Sequence, residues 1–216
     1  MKSNRLHFLI TAGGTREYID PVRFITNASS GKMGFALAQA ALKAGHKVTL
    51  VTTIQNLELR TQNSKLKKVY VETAGEMFKA VKKYFKKCDC LIMAAAVSDY
   101  TPVKKSKIKI KKSKEALTIK LKPTADILKW AGMSKKKNQV VVGFALEDRN
   151  LQKNAEKKLR DKNLDMIIAN SPSSIGADKS EVQVKAKAGE WFKINSTDKE
   201  KIAYKIVHMN ENLVQR

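Results

Sequence analysis

LHFLITA (Leu6–Ala12) is a mostly apolar run that stops at Gly13-Gly14, the pattern of a buried strand leaving a sheet at a glycine turn. Residues of helix-forming type then fill Met33–Ala44, Gly45 supplies a stop, and HKVTLVTT (His46–Thr53) reads as a second, β-branched strand. The first fifty residues therefore describe a βαβ unit. The rhythm continues with a strand over Leu66–Glu72 and a helix over Ala74–Phe85, where Met77, Val81 and Phe85 recur at helical spacing. DCLIMAAAV (Asp89–Val97) follows as a strand buried on both faces. Further on, the pattern predicts a short helix over Asp126–Trp130, a strand over Gln139–Ala145, a charged helix over Asn150–Asp161 and a strand over Asp165–Ala169. A closing hairpin (Glu181–Ala186 and Trp191–Ile194) and a C-terminal helix from Asp198 to about Asn212 complete the chain. Strands alternating with helices predict an α/β, Rossmann-like fold, an open and mainly parallel sheet with helices on both faces and ligands gathered where strands end.

One segment breaks the alternation. Residues 101–122 contain two alternating stretches, Ile108–Lys111 and Leu117–Lys120, which predict a two-stranded excursion carrying nine lysines against one acid, Glu115. With 216 residues against a prior of about 150 per domain, and with no repeat or linker, residues 1–216 are expected to form a single domain.

The 43 Lys and Arg outnumber the 20 Asp and Glu, a net charge of +23, while 43% of residues are hydrophobic, too many for a disordered chain. The longest apolar run, Cys90–Val97, falls far short of the roughly 18 residues of a membrane span, and MKSNRLHFLI lacks a small-residue cleavage site. A cytoplasmic, soluble protein is expected, without a membrane partner. Cys88 and Cys90 have no distant partner, and His7, His46 and His208 are scattered, so neither a disulfide framework nor a structural zinc site is expected. The positive charge points to a polyanionic partner. Only 6% of residues are aromatic and no RNA-binding signature is present, which argues against specific nucleic-acid recognition.

Four motifs carry chemistry. TAGGTR (Thr11–Arg16) lets backbone approach a ligand at a strand end, or is an ordinary tight turn; it is not G-x-G-x-x-G. NASSGKMG (Asn27–Gly34) precedes a helix, where free backbone N–H groups make an anion pocket. Lys32 stands in the first turn, against the helix dipole, at a cost of a few tenths of a kcal/mol or more unless an anion lies between them, which favours phosphate binding over simple capping. The segment is not a Walker A loop, because Thr26 replaces the first glycine and Met33 the metal-binding hydroxyl. MAAAVSDY (Met93–Tyr100) leaves space above the sheet, with Asp99 at the rim to cap a turn or to bind a ribose hydroxyl or metal. Tyr100 and Lys104 match a Y-x-x-x-K dehydrogenase spacing, but Pro102 between them disfavours the helix that spacing needs. The lysine excursion is either a solvated face or a basic flap that closes over a triphosphate, stabilising negative charge on departing pyrophosphate.

Together these segments resemble the phosphopantothenoylcysteine synthetase family of coenzyme A biosynthesis. ITAGGTREYIDPVRFITNASSGKMGFALA (Ile10–Ala38), AAAVSDY (Ala94–Tyr100), KIKK (Lys109–Lys112), TADIL (Thr124–Leu128), VVGFALE (Val141–Glu147) and KKLRDKNLDMIIAN (Lys157–Asn170) occur in the family's order. The resemblance implies that 4′-phosphopantothenate is joined to L-cysteine, with CTP consumed through an acyl-cytidylate and Mg2+ neutralising the triphosphate. It implies that Asn27 holds the acyl carbonyl and that Lys109 serves the triphosphate from the flap. Met93, Ala94, Ala95, Asp99, Ala125, Asp126, Ile127, Leu128, Phe144, Lys158 and Lys162 then surround the nucleotide, beside Gly13 and Gly14, which the glycine turn at the strand end places as nucleotide-binding, and Ser29, Ser30, Gly31 and Lys32 hold the substrate phosphate. It further implies a homodimer whose phosphate pocket is completed across the interface. The flavin decarboxylase domain of many relatives is not in this sequence, so no FMN is expected and a separate decarboxylase is expected to act on the product. Ala125 departs from the proline usual before Asp-Ile-Leu, and the bacterial form of SSGKMG favours CTP over ATP.

Overall fold

The computed structural model describes residues 5–55, 65–174 and 179–215. Its elements run β1 (His7–Ala12), β2 (Arg16–Tyr18), β3 (Phe24–Thr26), α1 (Lys32–Lys43), β4 (Lys47–Thr52), β5 (Leu66–Tyr70), α2 (Ala74–Phe85), β6 (Cys90–Met93) and β7 (Tyr100–Pro102). They continue β8 (Leu121–Pro123), α3 (Ile127–Ser134), β9 (Val140–Leu146), α4 (Leu151–Asp161), β10 (Met166–Asn170), β11 (Lys179–Ala186), β12 (Phe192–Asp198) and α5 (Lys199–Val214). Eight strands form one sheet in the order β12-β11-β10-β9-β6-β1-β4-β5. The six from β10 to β5 are parallel, and β11 and β12 extend the edge antiparallel. The chain builds outward from β1 through β4 to β5, then returns to place β6 on the other flank of β1. That reversal is the topological switch of a Rossmann-like sheet, and it opens a crevice at the carboxyl ends of β1 and β6.

Alternation along the central strands sends side chains to two separate cores. Phe8, Ile10, Val48, Leu50, Ile92, Val142 and Ile168 pack beneath α1 and α5, while Leu9, Val51, Leu91, Val141 and Ile167 pack beneath α2, α3 and α4. Side chains set the helix starts. Thr73 and Glu76 form a reciprocal capping box on α2, and Asp126 and Asp198 each accept an amide hydrogen at the start of α3 and α5. Cys88 and Cys90 are buried free thiols. Burial pushes the Cys88 thiol up to about 12. Among the described residues no helix is long and apolar enough to cross a membrane.

Two local differences from the sequence reading stand out. The short hairpin β2–β3 was not anticipated; three-residue strands give too little alternation to register. The basic excursion is a two-stranded antiparallel ribbon, but its strands are β7 and β8 at its base, not Ile108–Lys111 and Leu117–Lys120. Those alternating stretches have no apolar surface to lie on: Ile108 is 76% exposed and Leu117 56%. Alternation specifies a strand only where one face is buried, and here neither is.

Candidate active site

The crevice above β1, β6, β9 and β10 is a cleft of about 720 Å³. Its first wall is the chain that follows the hairpin. β3 delivers Asn27, and the loop then turns through Ser29 and Ser30 to Gly31, which holds φ 71 as the N-cap of α1 without a side-chain cap. Ser29 and Ser30 make only long contacts, 3.4 and 3.5 Å, to the amides of Gly31 and Lys32. With no acid in the first turn, the end of α1 presents its backbone donors and dipole to the cleft uncompensated by any carboxylate of its own. Asn27 donates one Nδ2 hydrogen to the Val97 carbonyl at 3.2 Å, which leaves the second for another acceptor.

The floor is the segment after β6. Ala96 donates to Gly13 O at 2.8 Å and accepts from the Thr15 amide at 3.2 Å, so β1 and β6 stay paired beyond their own ends. Thr15 Oγ1 accepts from the Ser98 amide at 2.9 Å. Gly13 and Gly14 serve this junction and do not line the cleft. A β-carbon on Gly13 would lie 2.2 Å from Thr53 Oγ1, and one on Gly14 would lie 2.6 Å from the Asn27 carbonyl. Their smallness lets three chain segments meet; the ligand-facing surface is left to Met93–Val97 and Asp99.

The opposite wall is Thr124–Leu128 with Phe144, Lys158 and Lys162. Thr124 fastens this loop to the floor, donating its amide to Asp99 O at 2.9 Å and its hydroxyl to Ser98 O at 2.6 Å. Asp126 divides its two oxygens: one caps α3 through the Lys129 amide, and the other pairs with Lys162 Nζ at 2.9 Å. That pairing depends on Gly132, whose missing β-carbon would sit 1.9 Å from the Lys162 carbonyl, so α3 and the end of α4 touch backbone to backbone. Lys158 Nζ lies 2.6 Å from Glu147 Oε1. Burial pushes the Glu147 carboxyl up, but hydrogen bonds from Lys158 and Asn154 outweigh it and hold the group below its ordinary range.

The structure therefore gathers Asn27, Ser29–Lys32, Met93–Ala95, Asp99, Ala125–Leu128, Phe144, Lys158 and Lys162 around one space. Lys109 is not among the residues that line the cleft; it is exposed on the flap.

A family model described as the DNA/pantothenate metabolism flavoprotein C-terminal domain matches residues 3–213. The chain belongs to this family. Among its curated relatives is a cysteine/cysteine sulfinic acid decarboxylase from an unknown prokaryotic organism, 48% identical over 174 residues, covering 81% of this chain and 48% of that protein. Another is the coenzyme A biosynthesis bifunctional protein CoaBC of Bacillus subtilis (strain 168), 45% identical over 171 residues, 79% of this chain and 41% of that protein. The chain thus spans about half the length, or less, of these relatives. The solved C-terminal domain of a CoaBC superposes with a TM-score of 0.80 at 37% identity, covering 99% of this chain and 97% of that one. The resemblance drawn from the ordered motifs and this family match agree.

Within this member of the pantothenate-metabolism family, sequence reasoning missed Thr124, Leu146, Asn170 and Lys199, all of which line the cleft. Leu146 and Asn170 end β9 and β10, so the rule that ligands gather at strand ends was signal enough. Lys199 opens α5, beyond the antiparallel edge, and nothing local in the sequence directs it there. Gly132→Ala tests how this wall is built. The added methyl forces α3 from α4, an overpacking cost of about 1–3 kcal/mol that should lower the melting temperature by several degrees. An unchanged melting curve would show that the contact is slack.

Proposed function

We propose that the protein is a phosphopantothenate–cysteine ligase of coenzyme A biosynthesis that uses CTP. The reading rests on one observation: a single cleft at the switch point joins an uncapped helix N-terminus to a lysine-bearing wall, with a small-residue floor between them. The first wall suits a phosphorylated acid and the second a nucleotide triphosphate. In the first step, a carboxylate oxygen of 4′-phosphopantothenate attacks the α-phosphorus of CTP, and the bond to the departing pyrophosphate breaks. In the second, the cysteine amine attacks the acyl carbonyl, CMP leaves, and the amine gives up a proton.

The chain's contribution is positioning and electrostatics. Ser29–Lys32 hold the substrate phosphate with backbone donors and the Lys32 charge. The free Nδ2 hydrogen of Asn27 faces the acyl oxygen. Ala94 and Ala95 leave room for the base and sugar, and Ala125–Leu128 and Phe144 close over them. Lys158 and Lys162 reach the phosphates by exchanging Glu147 and Asp126 for ligand oxygens. Among the described residues no three acidic, His or Cys side chains cluster as a metal cage would require. Asp99, a single carboxylate on the cleft, fits Mg2+ of the kind that is carried mainly by substrate phosphates and shared with one protein oxygen. When bound there, the ion neutralises charge on the triphosphate. Lys109 adds charge as pyrophosphate leaves.

The reading extends to a homodimer. Its support is the exposed apolar set on the hairpin and ribbon, Val22, Phe24, Tyr100, Val103 and Leu121.

A coupled pyrophosphate assay offering CTP or ATP with phosphopantothenate and cysteine tests the activity; no release with either nucleotide would end the proposal. Lys109→Gln should lower turnover by about 100-fold or more with the fold intact, and near-normal release would remove Lys109 from the mechanism. Asn27→Asp replaces a donor with a repelling carboxylate, so without cysteine the acyl nucleotide should accumulate or persist abnormally, as read by mass. Sedimentation at micromolar protein should give twice the chain mass of 24.2 kDa, and a monomer would refute the dimer.

A further inference from the structure

Five hydrogen bonds converge on Asp20, a fully buried carboxylate at the tip of the β2–β3 hairpin, outside the cleft. The two oxygens do different jobs. Oδ1 accepts the amides of Val22 and Arg23 at 2.8 and 2.9 Å, which is all that a tight turn requires. Oδ2 accepts Arg23 Nε and Nη2 and also the Ile110 amide of the flap at 3.1 Å. Arg23 Nη2 donates in turn to the Ile110 carbonyl. Both backbone groups of the residue after Lys109 are therefore held by the hairpin.

A second fastening lies just before it. The Ser106 amide donates to Ile19 O at 2.8 Å, Ser106 Oγ donates to Ile108 O at 2.6 Å, and the Lys105 ammonium sits 4.6 Å from the centre of the Tyr18 ring. Lys107–Lys109 are thus a short span between two tied points. The hairpin is itself fixed to the body, because Glu17 Oε1 accepts the Ala74 amide at 2.8 Å at the start of α2, and Arg16 donates to Glu72 O. Between Ile110 and β8 the hydrogen bonds among the described residues are the Ser113–Glu115 turn and the Val103 amide to Lys120 O that closes the ribbon.

We propose that Asp20 and Arg23 are positioning residues that latch the flap at Ile110, so that Lys109 rides on a fixed segment and only residues 111–120 are free to close over a bound polyanion. Its consequence for turnover rests on the ligase reading, but the latch itself does not. A lysine on a wholly free loop pays the ordering cost of every residue it fixes on each encounter, whereas one on a latched segment has fewer residues left to order. Desolvation pushes the Asp20 carboxyl up, yet the bonds from Val22, Arg23 and Ile110 prevail and hold it well below the usual carboxylate range.

Asp20→Asn separates the two oxygens' roles. The amide oxygen still serves the turn, but an NH2 now meets three donors on the Oδ2 side. Limited trypsin digestion and amide exchange read the result. In the wild type, cleavage should begin after Lys111, Lys112 or Lys114. In Asp20→Asn, cleavage after Lys107 and Lys109 and exchange at Ser106 and Ile110 should quicken about tenfold or more. The turnover number for pyrophosphate release should fall more than KM for the nucleotide changes, while Lys109→Gln should lose turnover yet keep the slow cleavage after Lys107. Wild-type cleavage and exchange in Asp20→Asn would overturn the latch, and a released latch with unchanged turnover would overturn its positioning role. A wild-type protein that releases no pyrophosphate would refute the ligase reading and leave the protease result standing as the test of the latch. Should Asp20→Asn fail to fold, Arg23→Lys, which lacks the second guanidinium nitrogen and so frees Ile110 O, carries the same measurements.

Discussion

The exchange of hydrogen bonds between Gly13, Thr15 and Ala96 continues the β1–β6 pairing past the point where both strands end, and the cleft is built around that continuation. At a topological switch the two chains leave the sheet in opposite directions, and the space between them becomes a crevice. Here the chains do not part at once. They run side by side for a few residues, and Thr15 and Ser98 add a second tie. The tie fixes the height of Met93–Val97 as a floor, while the β2–β3 hairpin brings Asn27 back over it. Such crowding tolerates no side chain at residues 13 and 14, and this is why glycines stand there although neither touches the cleft.

Charge on the cleft is more balanced than the +23 of the chain suggests. Of the side chains that line it, Lys32, Lys158, Lys162 and Lys199 are set against Asp99 and Asp126, and Glu147 lies just behind Lys158. Two of the lysines already hold carboxylates, so an entering anion exchanges one oxygen partner for another and desolvates no bare ammonium. The pairs also keep the lysines extended toward the cleft before a ligand arrives, a form of preorganisation. The surplus charge lies elsewhere, above all in the nine lysines of residues 101–122.

The sequence disclosed most of this because its signals were local. Core strands announce themselves by apolar runs, and α2 matches the expected Ala74–Phe85 because Met77, Val81 and Phe85 recur at helical spacing on its buried face. Helix α3 was expected to stop at Trp130 but continues to Ser134; the extra turn packs its Gly132 on α4, a tertiary contact with no local trace. The flap shows the converse, since Ile108–Lys111 alternates as a strand should but has nothing to lie against. The residues that motif order singled out, among them Asn27, Ser29–Lys32, Met93–Ala95, Asp99, Ala125–Leu128, Phe144, Lys158 and Lys162, lie around one cleft. Lys199 escaped because it reaches the cleft only through the packing of α5 on α1, and the place of Lys109 escaped because a hairpin too short to be read holds the flap beside it.

That hairpin joins the fixed and the movable parts of the molecule. Its outgoing strand is tied to the start of α2 through Arg16 and Glu17, its tip holds Ile110, and its return strand runs directly into Asn27. The residue that faces the acyl oxygen in the ligase reading and the segment that carries the flap lysine therefore share one support of two three-residue strands. Thr26 braces the return, donating its hydroxyl to Thr15 O at 2.8 Å. Movement of Lys109 relative to Asn27 then requires either opening of the Asp20 latch or distortion of a hairpin anchored at both ends. On the ligase reading, two steps of one reaction, activation at the phosphates and transfer at the carbonyl, need their groups in a constant relation. A stiff connection of this kind supplies that relation without any direct contact between the two side chains.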